Sequence, residues 1–179
     1  MSKALIVIDM QNDFVDGALG SANAQAIVPK VVEKVRTWNP EDLLYFTRDT
    51  HYHDYMNSLE GHYLPVPHCI KETAGWCIIN ELSPYAHSEE EGRAVVVDKH
   101  TFGHKGWTSI TPSLTYVDEI HLCGLCTDIC VVSNALVLRM LYPETKIVVD
   151  ASCCAGVTPE KHLAALEVMK SCQIEVINE

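Results

Sequence analysis

The sequence lacks long hydrophobic runs and has little positive charge. No apolar run approaches the roughly 20 residues that a membrane-spanning helix needs. The 179 residues include 13 lysines and arginines against 24 aspartates and glutamates, a formal net charge of −11. An acidic chain is not attracted to nucleic acid or to an anionic membrane surface, so neither is expected as a partner. A small-molecule substrate fits this composition better.

Two kinds of segment are also missing. There is no basic leader followed by an apolar stretch, and the chain enters a predicted strand by Leu5, so we expect a cytoplasmic protein. No nucleotide-binding glycine pattern occurs, and no bound dinucleotide is expected. Because no export signal accompanies the eight cysteines, we expect most of them to be reduced core residues. This includes Cys123 and Cys126, which lack a second pair at zinc-finger spacing.

What the sequence does contain is enough apolar material for one domain over residues 1–179, with 47% hydrophobic residues and a mean hydropathy of +0.04. Short apolar segments alternate with segments of helical periodicity. The predicted strands are Leu5–Asp9, Leu43–Thr47, Ala94–Asp98, Glu119–Cys123, Lys146–Asp150 and Glu175–Ile177, and the predicted helices are Ala24–Thr37, Val131–Leu141 and Thr158–Ser171. This alternation predicts an α/β fold with three αβα layers around a doubly wound, mostly parallel six-stranded sheet.

Three reactive side chains stand near the ends of predicted strands. Asp9 ends the first strand, Lys99 follows the third, and Cys130 lies where the fourth turns through Gly124 into an apolar helix. The carboxyl ends of parallel strands share one crevice, so we expect these side chains to meet. Unpaired N–H groups and the helix dipole favour negative charge near Cys130, which makes it a candidate thiolate nucleophile.

The stretch from Asp49 to Pro84 is long for a connection inside a compact domain, and such connections are usually functional or mobile. Asp49, His51 and His68 offer one carboxylate and two imidazoles, a reasonable ligand set for a divalent metal. The alternative is that these are surface histidines on a polar loop. His53 and His62 are expected to be solvated or to lie at the rim of the site.

Five motifs occur in one order along the chain: IDMQNDF at 8–14, TRDTH at 47–51, PHC at 67–69, the strand end at Lys99, and GLCTDICV at 124–131. Together they resemble the isochorismatase-like cysteine hydrolases, and within them most closely the nicotinamidases and pyrazinamidases. The resemblance runs from residue 3 to about residue 177. It implies the isochorismatase-like hydrolase fold.

The resemblance also implies a catalytic triad of Asp9, Lys99 and Cys130. Asp9 would accept the thiol proton, Lys99 would stabilise the charge that forms, and Cys130 would attack an amide carbonyl to give a thioester. In this family the oxyanion hole is formed by backbone N–H groups, which map onto Cys126 and Cys130. A non-proline cis peptide is expected between Leu125 and Cys126.

In the family that the sequence resembles, a metal held by residues of these types binds the pyridine nitrogen of nicotinamide and orients its carboxamide. The implied ligands are Asp49, His51 and His68, with Glu60 as a candidate fourth. Zinc is expected first, and iron and manganese are alternatives that suit the same residue types.

An apolar pocket is expected around the substrate ring. Phe14, which belongs to the first motif, and Leu125 are candidate walls. Phe102 and Trp107 follow Lys99 closely and are candidates too, although a core position suits them equally. Cys126 stands where alanine or tyrosine is more usual, and the segment after Lys99 is shorter than in many nicotinamidases, which leaves the exact amide open.

The first functional hypothesis is therefore a metal-assisted amidohydrolase that converts nicotinamide to nicotinate and ammonia and also accepts pyrazinamide. A second is a metal-free hydrolase of another small amide, such as a carbamoyl or ureido compound. A third is a binding module on the same fold. Hydrolysis of the vinyl ether of isochorismate is disfavoured by the metal-site residues and the cysteine. Because family members are often oligomeric, a homo-oligomer is expected.

Overall fold

The computed structural model describes residues 2–87, 94–110 and 112–179, and a six-stranded sheet forms its centre. The strands are β1 Lys3–Ile8, β2 Leu43–Asp49, β3 Ala94–Lys99, β4 Glu119–Leu125, β5 Lys146–Ala155 and β6 Glu175–Ile177. Their order across the sheet is β3-β2-β1-β4-β5-β6, and every neighbouring pair is parallel. The predicted α/β class and the six strands are confirmed, and the sheet is parallel throughout where a mostly parallel one was expected.

Helices connect these strands. They are α1 Asn12–Val15, α2 Ala22–Thr37, α3 Leu59–Tyr63, α4 Ser83–Ala86, α5 Trp107–Ile110, α6 Val132–Leu141 and α7 Pro159–Ser171. A π-helical turn at Thr127–Val131 leads directly into α6, so the helix after β4 starts earlier than predicted. None of the helices in the described ranges has the length and apolar character that a membrane span requires.

The strand order places β1 in the middle of the sheet. From β1 the chain winds outward through β2 to β3, then returns to the other side of β1 and continues through β4 and β5 to β6. Parallel crossovers are right-handed, so α2 covers one face, whereas α6 and α7 cover the other. The run Ala4–Ile8 is fully buried, as a strand covered on both faces must be. A crevice is expected where the winding direction changes, at the carboxyl ends of β1 and its neighbours.

Helix α2 shows how local sequence and packing combine. The Ser21 side chain accepts a hydrogen bond of 3.1 Å from the Ala24 amide and so caps the helix. Pro29 lies inside the helix, although the sequence favoured it only near the first turn. A proline there removes one intrahelical hydrogen bond. The buried Ile27 and Val31 on either side pack into the core and keep the helix continuous.

The segment that follows β2 is attached firmly to the rest of the fold. The Asn12 amide donates to the Cys77 carbonyl at 3.0 Å, and the Ile79 amide donates to the Met10 carbonyl at 3.0 Å. These contacts join the segment to the turn after β1. The segment, which also contains α3 and α4, thus forms a wall of the crevice rather than an irregular excursion into solvent.

Candidate active site

The three reactive side chains predicted at the strand ends lie together in the structure. Asp9 directly follows β1, Lys99 is the last residue of β3, and Cys130 lies in the π-helical turn after β4. Lys99 Nζ is 2.7 Å from Asp9 Oδ2 and 3.4 Å from Cys130 Sγ. All three residues are buried, and Lys99 and Asp9 have no exposed surface. The arrangement sets a carboxylate, an ammonium and a thiol against one another away from bulk water.

The backbone around Asp9 is unusual and closely held. Asp9 has a φ of 46°, in the left-handed region that side-chain-bearing residues rarely adopt. Thr47 Oγ1 accepts from the Asp9 amide at 3.1 Å and donates to Asp9 Oδ1 at 2.6 Å, which fixes the carboxylate. On the other side Gly124 has a φ of 116°, and a Cβ there would lie 2.1 Å from the Ile8 carbonyl oxygen. Glycine is therefore required where β4 passes the end of β1.

Burial controls the charge states of this triad. Burial raises the pKa of the Cys130 thiol well above its usual value, so the resting side chain is a neutral thiol. Burial likewise raises the pKa of Asp9, against the opposing pull of Lys99. Burial disfavours the charged form of Lys99, but the carboxylates of Asp9 and Asp49 outweigh this effect and hold the pKa of Lys99 well above the usual range.

A second cluster, the metal-ligand group, lies beside the triad and consists of Asp49, His51, Glu60 and His68. One ligand atom from each lies within 4.8 Å of all the others. His51 Nε2 is 3.1 Å from Asp49 Oδ2, and His68 Nε2 is 3.9 Å from Glu60 Oε1. Two imidazoles and two carboxylates at such separations fit a divalent cation. These are the four residues that the sequence and the resemblance suggested, whereas His53 and His62 are exposed.

Further hydrogen bonds orient these ligands. His68 Nδ1 lies 2.8 Å from the Val66 carbonyl, and donation there directs Nε2 toward the group. The buried Gln11 side chain donates to the Asp49 carbonyl at 2.9 Å and accepts from the Asp49 amide at 2.7 Å. Lys99 Nζ is also 3.2 Å from Asp49 Oδ1, so one ammonium touches both clusters. The sequence analysis did not single out Gln11, although its place in the first motif was a signal.

A cavity of 520 Å³ opens onto both clusters. The side chains of Cys130, Asp49, Glu60 and His68 line it, together with Phe14, Leu19, Gly20, Ser21, Ala24, Tyr63, Leu64, Phe102, Leu125, Cys126, Ile129, Gly156 and Val157. Three of the four expected ring contacts are therefore on its wall. Both residues expected to form the oxyanion hole also line it, and the peptide between Leu125 and Cys126 is cis, as the resemblance implied. Burial raises the pKa of the Cys126 thiol to about 12, so this side chain is a neutral part of the wall.

Trp107 is the exception, because it does not line the cavity and has no exposed surface. Its indole N–H donates to Asn134 Oδ1 at 3.0 Å, and this oxygen also accepts from the His104 amide at 2.9 Å. The Asn134 amide nitrogen donates to the carbonyls of Phe102 and Cys130 at 3.0 and 2.8 Å. Asn134, which the sequence did not single out, thus joins the segment after Lys99 to the turn that carries Cys130, and Trp107 is a core residue of that junction.

Comparison with protein families matches residues 3–179 to the isochorismatase domain. The chain belongs to the isochorismatase family. Relatives of this isochorismatase-family chain include PncA of Bacillus subtilis, described as an uncharacterized isochorismatase family protein, with 32% identity over 93% of each chain. Another is the nicotinamidase/pyrazinamidase of Mycobacterium tuberculosis, with 27% identity over 98% of each.

Solved structures extend the comparison. The crystal structure of nicotinamidase PncA from Bacillus subtilis matches with a TM-score of 0.86 and 30% identity, over 99% of this chain and 100% of that one. The pyrazinamidase of Pyrococcus horikoshii in complex with zinc matches with a TM-score of 0.82 and 28% identity over 100% of both chains. The predicted family and fold are confirmed, and this isochorismatase-family chain is a nicotinamidase-like hydrolase.

Proposed function

We propose that this chain hydrolyses nicotinamide to nicotinate and ammonia, with a divalent metal held by the metal-ligand group. The observation that carries the proposal is that Cys130 and three members of that group, Asp49, Glu60 and His68, face one cavity. A nucleophile and a site that can orient a ring are therefore available to the same small molecule. The named activities of the relatives support an amide substrate.

In the first half of the reaction, the thiol of Cys130 loses its proton to the Asp9 carboxylate and the sulfur attacks the carboxamide carbon. Lys99 lies against both groups and stabilises the negative charge on the sulfur as it forms. Because burial raises the pKa of Asp9, its carboxylate is a stronger base toward the thiol proton than an ordinary aspartate. The backbone N–H groups of Cys126 and Cys130 are proposed to bind the carbonyl oxygen as it becomes an oxyanion.

In the second half, protonated Asp9 delivers its proton to the leaving nitrogen as the C–N bond breaks. Ammonia departs and the acyl group remains on Cys130 as a thioester. Asp9, again a carboxylate, accepts a proton from a water molecule that attacks the thioester carbon. As the C–S bond breaks, protonated Asp9 returns its proton to the Cys130 sulfur, which restores the thiol and releases the carboxylic acid, so one carboxylate serves in turn as base, acid, base and acid.

The metal-ligand group would hold a divalent cation that supplies, when bound, a coordination position for the ring nitrogen of the substrate. Zinc is proposed first, supported by the zinc complex of the Pyrococcus pyrazinamidase. The compact set of four ligand residues disfavours the metal-free amidase of carbamoyl or ureido compounds. Assembly into a homo-oligomer stays a prediction.

The test is ammonia release from nicotinamide by the purified protein, with metal analysis of the same sample. We expect about one metal per chain and a loss of about 10³-fold or more in kcat for Cys130→Ala. His68→Ala should lower the metal content as well as the activity. The matched controls are Cys172→Ala and His62→Ala, both at exposed positions, which should retain both properties. A metal-loaded wild type that releases no ammonia from nicotinamide contradicts the proposal.

A further inference from the structure

The cavity is larger than the proposed substrate needs. Benzene, with six carbon atoms, fits a protein cavity of about 150 Å³. Nicotinamide has nine non-hydrogen atoms, which scales to about 225 Å³ on the same basis. The cavity measures 520 Å³. After nicotinamide is placed, roughly half of the volume remains, which is enough for a second ring.

The polar part of the wall is compact, because the ligand atoms of Asp49, Glu60 and His68 lie within 4.8 Å of one another. Much of the remaining wall consists of apolar side chains. We call four of them the apolar subsite: Leu19, Ala24, Ile129 and Val157. Leu19 lies between α1 and α2, Ala24 lies in the first turn of α2, Ile129 precedes Cys130, and Val157 follows β5.

The rim of the cavity is also apolar and open. Leu64, Phe102 and Val157 line the cavity and have exposed fractions of 37%, 46% and 50%. A group that extends from the ring can therefore contact apolar side chains without burying any charge. An apolar group placed there loses contact with water, and its transfer from water is favourable.

We propose that the preferred substrates of this chain are nicotinamide-type amides that carry an apolar substituent on the ring, and that the apolar subsite binds this substituent. The inference rests on the proposed function, because it takes the carboxamide to lie at Cys130. It adds a substrate class that the triad and the metal-ligand group alone do not specify.

The experiment compares kcat/KM for nicotinamide, 5-methylnicotinamide, 5-propylnicotinamide and 5-phenylnicotinamide with the metal-loaded enzyme. A single methylene in a hydrophobic pocket changes kcat/KM by about 10-fold to 200-fold. We therefore expect the value to rise along the series and to be about tenfold or more higher for the phenyl compound than for nicotinamide. A value for 5-phenylnicotinamide equal to or below that for nicotinamide overturns the inference and leaves the proposed function intact.

Two variants locate the subsite. Val157→Trp, in the subsite, and Leu64→Trp, at the rim of the cavity, should each lower the ratio of kcat/KM between the phenyl compound and nicotinamide by about tenfold or more, because the indole fills space that the phenyl group needs. The matched control is Val168→Trp on α7, whose exposed fraction of 49% is close to that of Val157 but which does not line the cavity. A ratio that is unchanged in both cavity variants contradicts the assignment of the subsite.

Failure of the proposed function can be distinguished from failure of the subsite assignment. If none of the four amides releases ammonia, that function is wrong, and the subsite is then tested by equilibrium binding to metal-loaded Cys130→Ala. Binding of 5-phenylnicotinamide about tenfold or more tighter than nicotinamide retains the subsite. Equal binding of the two compounds overturns it.

Discussion

Replacement of Lys99 by methionine removes the charge at the centre of the triad while keeping a side chain of similar length. Lys99 Nζ is 2.7 Å from Asp9 Oδ2 and 3.2 Å from Asp49 Oδ1, and the lysine has no exposed surface. At an effective dielectric constant of about 20, the direct attractions are about 6 and about 5 kcal/mol. The cost of burying the ammonium offsets much of this, and loss of one partner from a buried ion pair costs about 3–5 kcal/mol. We expect the free energy of unfolding of Lys99→Met to fall by that amount.

The loss should depend on pH in a defined direction. Burial already raises the pKa of Asp9 in the folded protein, and loss of Lys99 removes the ammonium that opposes the rise. An acid whose pKa is higher in the folded than in the unfolded state destabilises the fold progressively as pH rises from the unfolded to the folded pKa. The deficit of Lys99→Met should therefore be greater at about pH 7 than at about pH 4, close to the pKa of an unfolded aspartate. Urea unfolding in the presence of a chelator measures it without a contribution from metal binding.

The double variant Asp9→Asn/Lys99→Met checks the cause. It removes one of the two stranded carboxylates, so it should recover more than half of the stability lost at the higher pH. Lys161→Met, at an exposed position, is the matched control and should change stability by less than about 0.5 kcal/mol. A loss below about 1 kcal/mol in Lys99→Met, or a double variant no more stable than the single one, refutes the electrostatic reasoning.

Three further predictions concern the nucleophile and its supports. Gly124→Ala places a Cβ 2.1 Å from the Ile8 carbonyl oxygen at a φ of 116°, so the free energy of unfolding should fall by about 3 kcal/mol or more. Thermal or urea unfolding measures this loss, and an unchanged stability contradicts the close-packing argument. Burial raises the pKa of the Cys130 thiol, so the rate of its alkylation by iodoacetamide should still increase with pH above about 8.5, the pKa of a free cysteine. An alkylation rate that reaches a plateau below that pH contradicts the prediction. Asn134→Leu removes the donor to the carbonyls of Phe102 and Cys130, which should lower the free energy of unfolding by about 2–5 kcal/mol. The control Asn23→Leu, at an exposed position, should lower it by less than about 0.5 kcal/mol. Equal effects at the two positions contradict the prediction.

The sequence predicted those features that depend on periodicity and on strand ends. The apolar segments gave six strands, and the parallel arrangement followed from their alternation with helices. That arrangement implied that Asp9, Lys99 and Cys130 would approach one another, because each stands near the carboxyl end of a strand. Asp49, His51 and His68 of the metal-ligand group could also be predicted from residue type, since they stand in one long connection, whereas Glu60 was implied only by the family resemblance. None of these inferences required knowledge of a specific tertiary contact.

Features that depend on long-range pairing were not predictable in the same way. Strand β5 continues beyond the predicted end at Asp150 to Ala155, where it pairs with Leu125 of β4 after an irregularity in the register. The small residues of this extension carry little strand signal of their own. Likewise, Trp107 follows Lys99 closely enough to suggest a pocket wall, but its indole N–H is directed to Asn134. Only the folded structure shows whether such a side chain lines the pocket or lies in the core.

The strand order has a consequence for how the activity is lost. Asp9, Lys99 and Cys130 follow or end three different strands, and β2 lies between β1 and β3 in the sheet. The spacing of the reacting atoms is therefore fixed by the lateral registration of four strands rather than by any one segment of chain. Because neighbouring strands must stay hydrogen bonded for the triad to exist, the activity depends on the pairing of these four strands. Separation of β3 from β2 would remove the Lys99 ammonium from Cys130, whereas β6, at the far edge of the sheet, carries none of the three side chains.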